Sequence, residues 1–249
     1  MGAVYVRGGE AHLDGQLAEA KVFADSIGAI GAEHGRELAG TLLAAVWSYP
    51  SQVLLGQAQE ALEIWKSPLG GGGGPLLPPV RALLLAEVGL QDEANAAIEW
   101  TVDEESTLLQ EDELHSWELE HLLRAALIVD DRPTVKLATG KFSVLANVSV
   151  SPWSGVCPAR LLGGAAALLG RPYEVREHYR RALELSEGIR NRPEMALTHL
   201  ELAELLLEHY PDERTEALDH LDTAIAELHD MKMQPALERA LSHRDILKA

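Results

Sequence analysis

The sequence predicts an all-α protein, on three observations. Ala and Leu supply most of the apolar residues, and the chain has only two Phe among 249 residues. β-Branched residues rarely alternate with polar ones, so helix formers dominate nearly every window. A punctuation of Gly, Glu and a small residue returns about every forty positions, the mark of stacked helix-turn-helix units.

Each unit is anchored on a small residue in its second helix. The anchors are Ala20, Ala61, Ala94, Val135, Val175 and Ala217, at intervals of 41, 33, 41, 40 and 42 residues. Five positions before them stand Gly15, Gly56, Gly89, Asp130, Gly170 and Asp212. Gly tolerates the left-handed conformation that ends a helix, and Asp turns the chain or caps the next one. One position before the anchors stand Glu19, Glu60, Glu93, Thr134, Glu174 and Glu216, a carboxylate in the first turn being favoured by the positive end of the helix. The small anchor lets the facing helix approach closely.

Taken in order, unit one carries Gly8 and Gly9 in its opening helix. The charge-free run from Leu38 to Gln59 is broken by Ser48, Pro50, Ser51, Gln52 and Gln57; it is too polar for a membrane span and predicts two buried helical segments with a bend. "GGGGGPLLPP", Gly70 to Pro79, breaks helix and joins units two and three through a flexible loop placed at 67–79. A second break, 147–158, precedes unit five. Asn191 with Glu194 reads as a capping box, with Pro193 tolerated in the first turn, and Pro211 with Asp212 separates the helices of unit six. Pro235 opens a last helix, 235–247, that caps the array.

This pattern resembles the tetratricopeptide repeat (TPR) family. The clearest match is Leu162, Gly163, Gly170, Val175, Tyr179 and Ala182, where that family places Leu, Gly, Gly, Ala, an aromatic residue and Ala. Unit six follows with Leu202, Ala203, Ala217, Leu221 and Ala224, after a two-residue insertion in its turn. Val in place of Ala at 135 and 175, and spacings near 41, depart from the family. The lengthened units are similar to the C-terminal repeat domains of bacterial ATPase-coupled regulators of the maltose-activator type. The resemblance implies a single domain over 1–249, a right-handed α-solenoid of about six TPR-like helix-turn-helix units plus a C-terminal capping helix.

Composition excludes several functions. A formal charge of -18 repels polyphosphates and anionic membranes, and nucleic-acid binding relies on Lys and Arg, so neither nucleic acid nor membrane is an expected partner. The single cysteine, Cys157, forbids an intrachain disulfide and fits a reducing cytoplasm, the expected location; residues 1–15 lack the apolar core of a secretory signal.

Candidate chemistry fails on pattern. In "ALLGRPYEVREHYRRALEL", Gly170 follows a helix rather than a strand. No Gly-Lys-Ser or Gly-Lys-Thr occurs, so no phosphate loop is expected. Arg176, Arg180 and Arg181 alternate with Glu177 and Glu184, predicting the surface pairs Glu177–Arg181 and Arg180–Glu184. Glu118 and His121 have di-iron spacing, with Glu111 and His115 nearby, but a second Glu-x-x-His is missing. Cys157 lies near Arg160, which lowers a thiol pKa when its charge is available, and Ser154 lacks a nucleophile-elbow context. The expectation is therefore a non-enzyme with no cofactor and no metal.

The family's groove positions carry over to Trp117, Glu120 and Arg124 in unit four, Arg160 in unit five and Glu204 in unit six. They imply a scaffold that binds a protein or peptide on its concave face, as a module of a bacterial signalling or transcription regulator. Gly164 and Glu204 stand where the family's clamp for acidic peptide tails places Asn, which disfavours that ligand class. From Ala82 to Leu123 there are twelve acidic residues and no Lys or Arg, an asymmetry that orients a basic partner or pairs copies of the chain with one another. A small-ligand sensory domain of an ATPase-coupled regulator is the alternative.

Overall fold

The computed structural model describes residues 2–66, 78–102, 116–151 and 154–248. Among them are thirteen α-helices and no strand: α1 (Gly2–Leu13), α2 (Leu17–Glu33), α3 (Glu37–Leu54), α4 (Ala58–Lys66), α5 (Pro78–Glu87), α6 (Gln91–Val102), α7 (Ser116–Ile128), α8 (Arg132–Phe142), α9 (Pro158–Leu168), α10 (Pro172–Gly188), α11 (Arg192–His209), α12 (Arg214–Asp230) and α13 (Gln234–Lys248). Each packs chiefly on its sequence neighbours, α5 also on α7. The order is six successive pairs followed by one further helix. No helix among the described residues is long and apolar enough to cross a membrane.

One turn geometry recurs along the chain. Gly15, Gly56, Gly89 and Gly170, within pairs, and Gly35, between pairs, have φ of 66° to 79°. At Gly15 its N–H donates to the His12 carbonyl while Gln16 N–H reaches back to Ala11; Gly56, Gly89 and Gly170 repeat the pattern. These two hydrogen bonds satisfy the last carbonyls of the helix and need a left-handed residue at their centre. Asp130, Arg190 and Lys232 take that conformation without being glycine, at φ 58° to 59°. Asp212 does not. Pro211 fixes its own φ, and Pro211–Glu213 form a 3-10 turn instead.

All six anchors are buried, at 4% exposure or less. Pair five shows why small residues recur: a Cβ on Gly163 would meet the Tyr179 ring at 2.3 Å, so the aromatic residue lies directly over the glycine. Helices α2 and α3 touch backbone to backbone, a Cβ on Gly31 falling 2.6 Å from the Gly40 Cα.

Several boundaries differ from the sequence expectation. The run after Leu38 forms one helix through Pro50, not two segments with a bend. Proline removes one backbone bond there, and side chains on both sides brace the helix: Ser48 Oγ donates to Gln52 Oε1 at 3.1 Å, Ser51 Oγ pairs with His12 Nδ1 at 2.9 Å, and Tyr49 bonds His121. Pro78 and Pro79, expected in the loop, open α5, because proline suits the first helical turn; residues 67–77 lie outside the described residues. Of the break at 147–158, residues 147–151 and 154–157 are non-helical and Pro158 begins α9. The last helix is one residue longer at each end than expected.

The array closes on itself. Leu17 shares an apolar cluster with Leu200, Leu228, Met233 and Leu237, against which Leu54 and Leu55 pack. A Cβ on Gly15 would strike the Met231 sulfur at 2.3 Å, one on Gly56 would lie 3.2 Å from Pro235, and Arg192 Nη1 donates to the Asp14 carbonyl at 3.2 Å. The first two pairs therefore form a seam against α11, α12 and α13.

Candidate functional site: the central channel

Closure leaves a half-open channel of about 940 Å³, walled mainly by the first helix of each pair. Among the described residues six carboxylates (Glu87, Asp130, Glu194, Glu201, Glu204 and Glu208) and four arginines (Arg124, Arg132, Arg160 and Arg239) line it, together with His12, His209 and Tyr179.

A buried network of ion pairs joins α9 to α11. Arg160 donates from Nε and Nη2 to both oxygens of Glu194, at 2.8 and 2.9 Å, and from Nη1 to Glu201 at 2.7 Å. Glu194 Oε2 also accepts the Cys157 N–H at 2.8 Å. Asn191 caps α11 through the Glu194 N–H at 3.4 Å. Only half of the expected capping box therefore forms, since the Glu194 carboxylate turns to Arg160 instead of back to the Asn191 N–H. Arg160 keeps its charge: the two carboxylates outweigh burial, which opposes it.

Glu204, a turn further along α11, contacts Arg239 and His243 at 3.0 Å each. Burial still pushes its carboxyl up, and neighbouring Glu201 adds to that. Glu87 behaves alike. Its side chain keeps 27% exposure and Arg124 stands 3.8 Å away, yet the protein crowded around the channel raises its carboxyl, Arg124 opposing. Carboxylates held up in this way gain from added positive charge.

Arg124, Arg160 and Glu204 thus line the channel, whereas Glu120 and Trp117 stand in the wall behind it. Glu120 is buried, its Oε1 3.7 Å from Arg124 Nη1, and neither atom makes a hydrogen bond, so this contact is ionic only. Trp117 packs edge-on to His121, centroids 5.7 Å apart, and against the largest core cluster. All three side-chain nitrogens of Arg160 are engaged within the fold. Glu87, Glu201, Arg239 and His12 were not signalled by the sequence, and Glu194 was read only as a capping-box residue: the repeat period marks turns and anchors, and these residues lie on faces without a recurring type.

The remaining chemistry resolves into structure. Among the described residues no group of three or more His, Cys, Asp or Glu is placed to hold a metal ion; Glu111 and His115 lie outside them. His121 gives its Nδ1 proton to the Trp117 carbonyl, which can only accept, so Nε2 accepts from the Tyr49 hydroxyl. Both imidazole nitrogens are occupied, and burial disfavours protonation. Cys157 is fully buried and its thiol is pushed up by burial, then by Glu194. Arg160 supplies no free charge to activate this thiol, being committed to Glu194 and Glu201. Buried Ser154 accepts the Val156 N–H at 3.3 Å in a turn. On α10, Arg180 bonds both Glu177 and Glu184. Arg181 turns to Glu184 and Asn147, so the expected Glu177–Arg181 pair is absent. Arg176 reaches Glu213 at 2.7 Å on the next pair.

No protein-family model, no curated protein and no solved structure matches the chain.

Proposed function

We propose that this chain is a right-handed α-solenoid of six TPR-like units with a capping helix, and that it is a recognition module whose ligand is a basic, extended protein segment held in the central channel. The observation that carries the reading is the channel's charge. Among the described residues carboxylates outnumber arginines six to four, and two of them, Glu87 and Glu204, keep raised pKa values despite their arginine neighbours. Lysine or arginine side chains entering the channel relieve that imbalance, and complementary charge fixes register more than raw affinity. Catalysis is not part of the reading, since each candidate nucleophile or base is buried or already bonded within the fold.

Fluorescence anisotropy with labelled extended decapeptides tests it. Peptides with Lys at alternate positions should bind in the micromolar range, with affinity falling as salt rises. Glu counterparts should not bind, and Glu204→Gln combined with Glu208→Gln should weaken binding about tenfold, roughly 1.4 kcal/mol. Equal affinity for Lys and Glu peptides overturns the reading.

A small-ligand sensor is the second reading, favoured by closure itself, because a walled channel suits a compact ligand better than an open groove does.

A further inference from the structure

We propose that a second pocket, lying between α1, α2 and α3 and lined also by Val150, Ser151, Ser154 and Gly155, binds a neutral aromatic ring, and that Gly9 of α1 keeps the space for it. The proposal stands independently of what the channel binds. The pocket has a volume of about 180 Å³ and is walled by Tyr5, Gly9, Phe23, Ile27 and Trp47, with His12 at its inner end. Tyr5 and Trp47 meet with ring centroids 5.1 Å apart and planes tilted by 47°, and such walls favour edge and offset contacts with another ring. His12, Pro50 and Ser154 line both this pocket and the channel, so they stand between the two.

The glycines point to the pocket's purpose. Glycine is among the weakest residues for a helix interior, and it is normally tolerated there where another backbone or side chain comes close. Gly8 has such a reason, a Cβ there falling 3.3 Å from the Phe23 Cβ. Gly9 has none: a Cβ built on it meets nothing within 4 Å. Packing does not demand glycine at position 9. Its missing side chain leaves volume in the pocket.

Charge selects the ligand class. Among the described residues no Asp, Glu, Lys or Arg lines the pocket. His12 is neutral near pH 7, since burial takes its pKa down to about 4; Glu194 raises it and Arg124 lowers it further. A charged ligand would lose hydration without gaining a counter-ion. A cavity of ~150 Å³ takes benzene, so this one suits a ring of that order bearing one N–H or O–H toward His12, Ser151 and Ser154.

Indole is the probe, titrated into the full ¹⁵N-labelled chain. Saturable shifts at the amides of Gly8, Gly9 and His12 are expected, with a Kd in the high-micromolar to low-millimolar range typical of so small a ligand. Benzoate should bind at least tenfold more weakly. Gly9→Leu fills the pocket and should weaken indole binding at least tenfold while keeping the helical circular-dichroism spectrum, and Gly9→Ala should raise the Tm. The proposal is overturned if indole moves none of those three amides at its solubility limit, if benzoate binds as tightly, or if folded Gly9→Leu binds indole as the wild type does. The shift map on the unaltered chain decides the matter even if Gly9→Leu does not fold.

Discussion

Arg160 shows how one side chain can carry a share of the fold far beyond its own contacts. It crosses from α9 to α11, satisfies both oxygens of Glu194 and one of Glu201, and is 9% exposed. A buried charge left without its partner is expensive, and breaking such pairs typically costs 3–5 kcal/mol, because the surviving carboxylate cannot recover its hydration. Arg160→Met should therefore lower the unfolding free energy by about 3 kcal/mol or more, measured by urea denaturation; a loss under about 1 kcal/mol would mean that water already reaches Glu194. The sequence placed Arg160 on the concave side but could not reveal this arrangement. Glu194 is 34 residues away, and nothing local distinguishes it from a capping-box glutamate. For the same reason nothing local showed that the arginine near Cys157 is claimed by a residue on another helix.

Among the elements, α2 and α3 are held by small residues rather than large ones. Gly31 and Gly40 place two backbones in contact, and a Cβ on either would lie 2.6 to 2.8 Å from the opposing Cα. Backbone cannot yield as a side-chain tip does, so Gly31→Ala should push the helices apart and destabilise by about 1–3 kcal/mol, read as a lower Tm. The helix-forming gain of alanine, about 1 kcal/mol, is the smaller effect. Turn positions and anchors were legible in the sequence because they depend on residue type: φ > 0 selects Gly15, Gly56, Gly89 and Gly170, and tight packing selects Ala20, Ala61 and Ala94. Asp130 was marked by the same punctuation, whereas Arg190 and Lys232 adopt the left-handed conformation with side chains that carry no such signature, and helices packed on either side hold them in it. The helix through Pro50 also escaped a reading by residue type, because its braces come from α1 and α7.

At the scale of the whole molecule, the seam adds a pH dependence. His12 sits on α1 opposite Gly155, bonded to Ser51 on α3, with Glu194 of α11 and Arg124 of α7 acting on it electrostatically. Its folded pKa of about 4 lies below the ordinary 6.5, so the unfolded chain takes up a proton before the folded one. Stability is complete above pH 6.5 and declines as the pH falls toward 4, with a ceiling of about 3 kcal/mol from this residue. His199, paired with His220 at 2.7 Å between α11 and α12, is depressed to about 4 as well and shares that window. Glu87 and Glu204 act in the opposite sense, because their carboxyls are raised and their protonation favours the folded chain. Thermal melts between pH 7 and about 4.5 should show a net loss, smaller in His12→Gln; an unchanged slope in that variant would remove His12 from the account.

The seam between the first two pairs and the last three helices also governs how this molecule deforms. An open superhelix spreads a disturbance along its length like a spring, each step tilting slightly. Here the loop of contacts is continuous, so a tilt introduced at one step must be matched around the circuit or released where Leu17 meets Met233 and Leu237. Gradual flexing is thereby exchanged for a threshold: the circuit holds its shape until the joint parts.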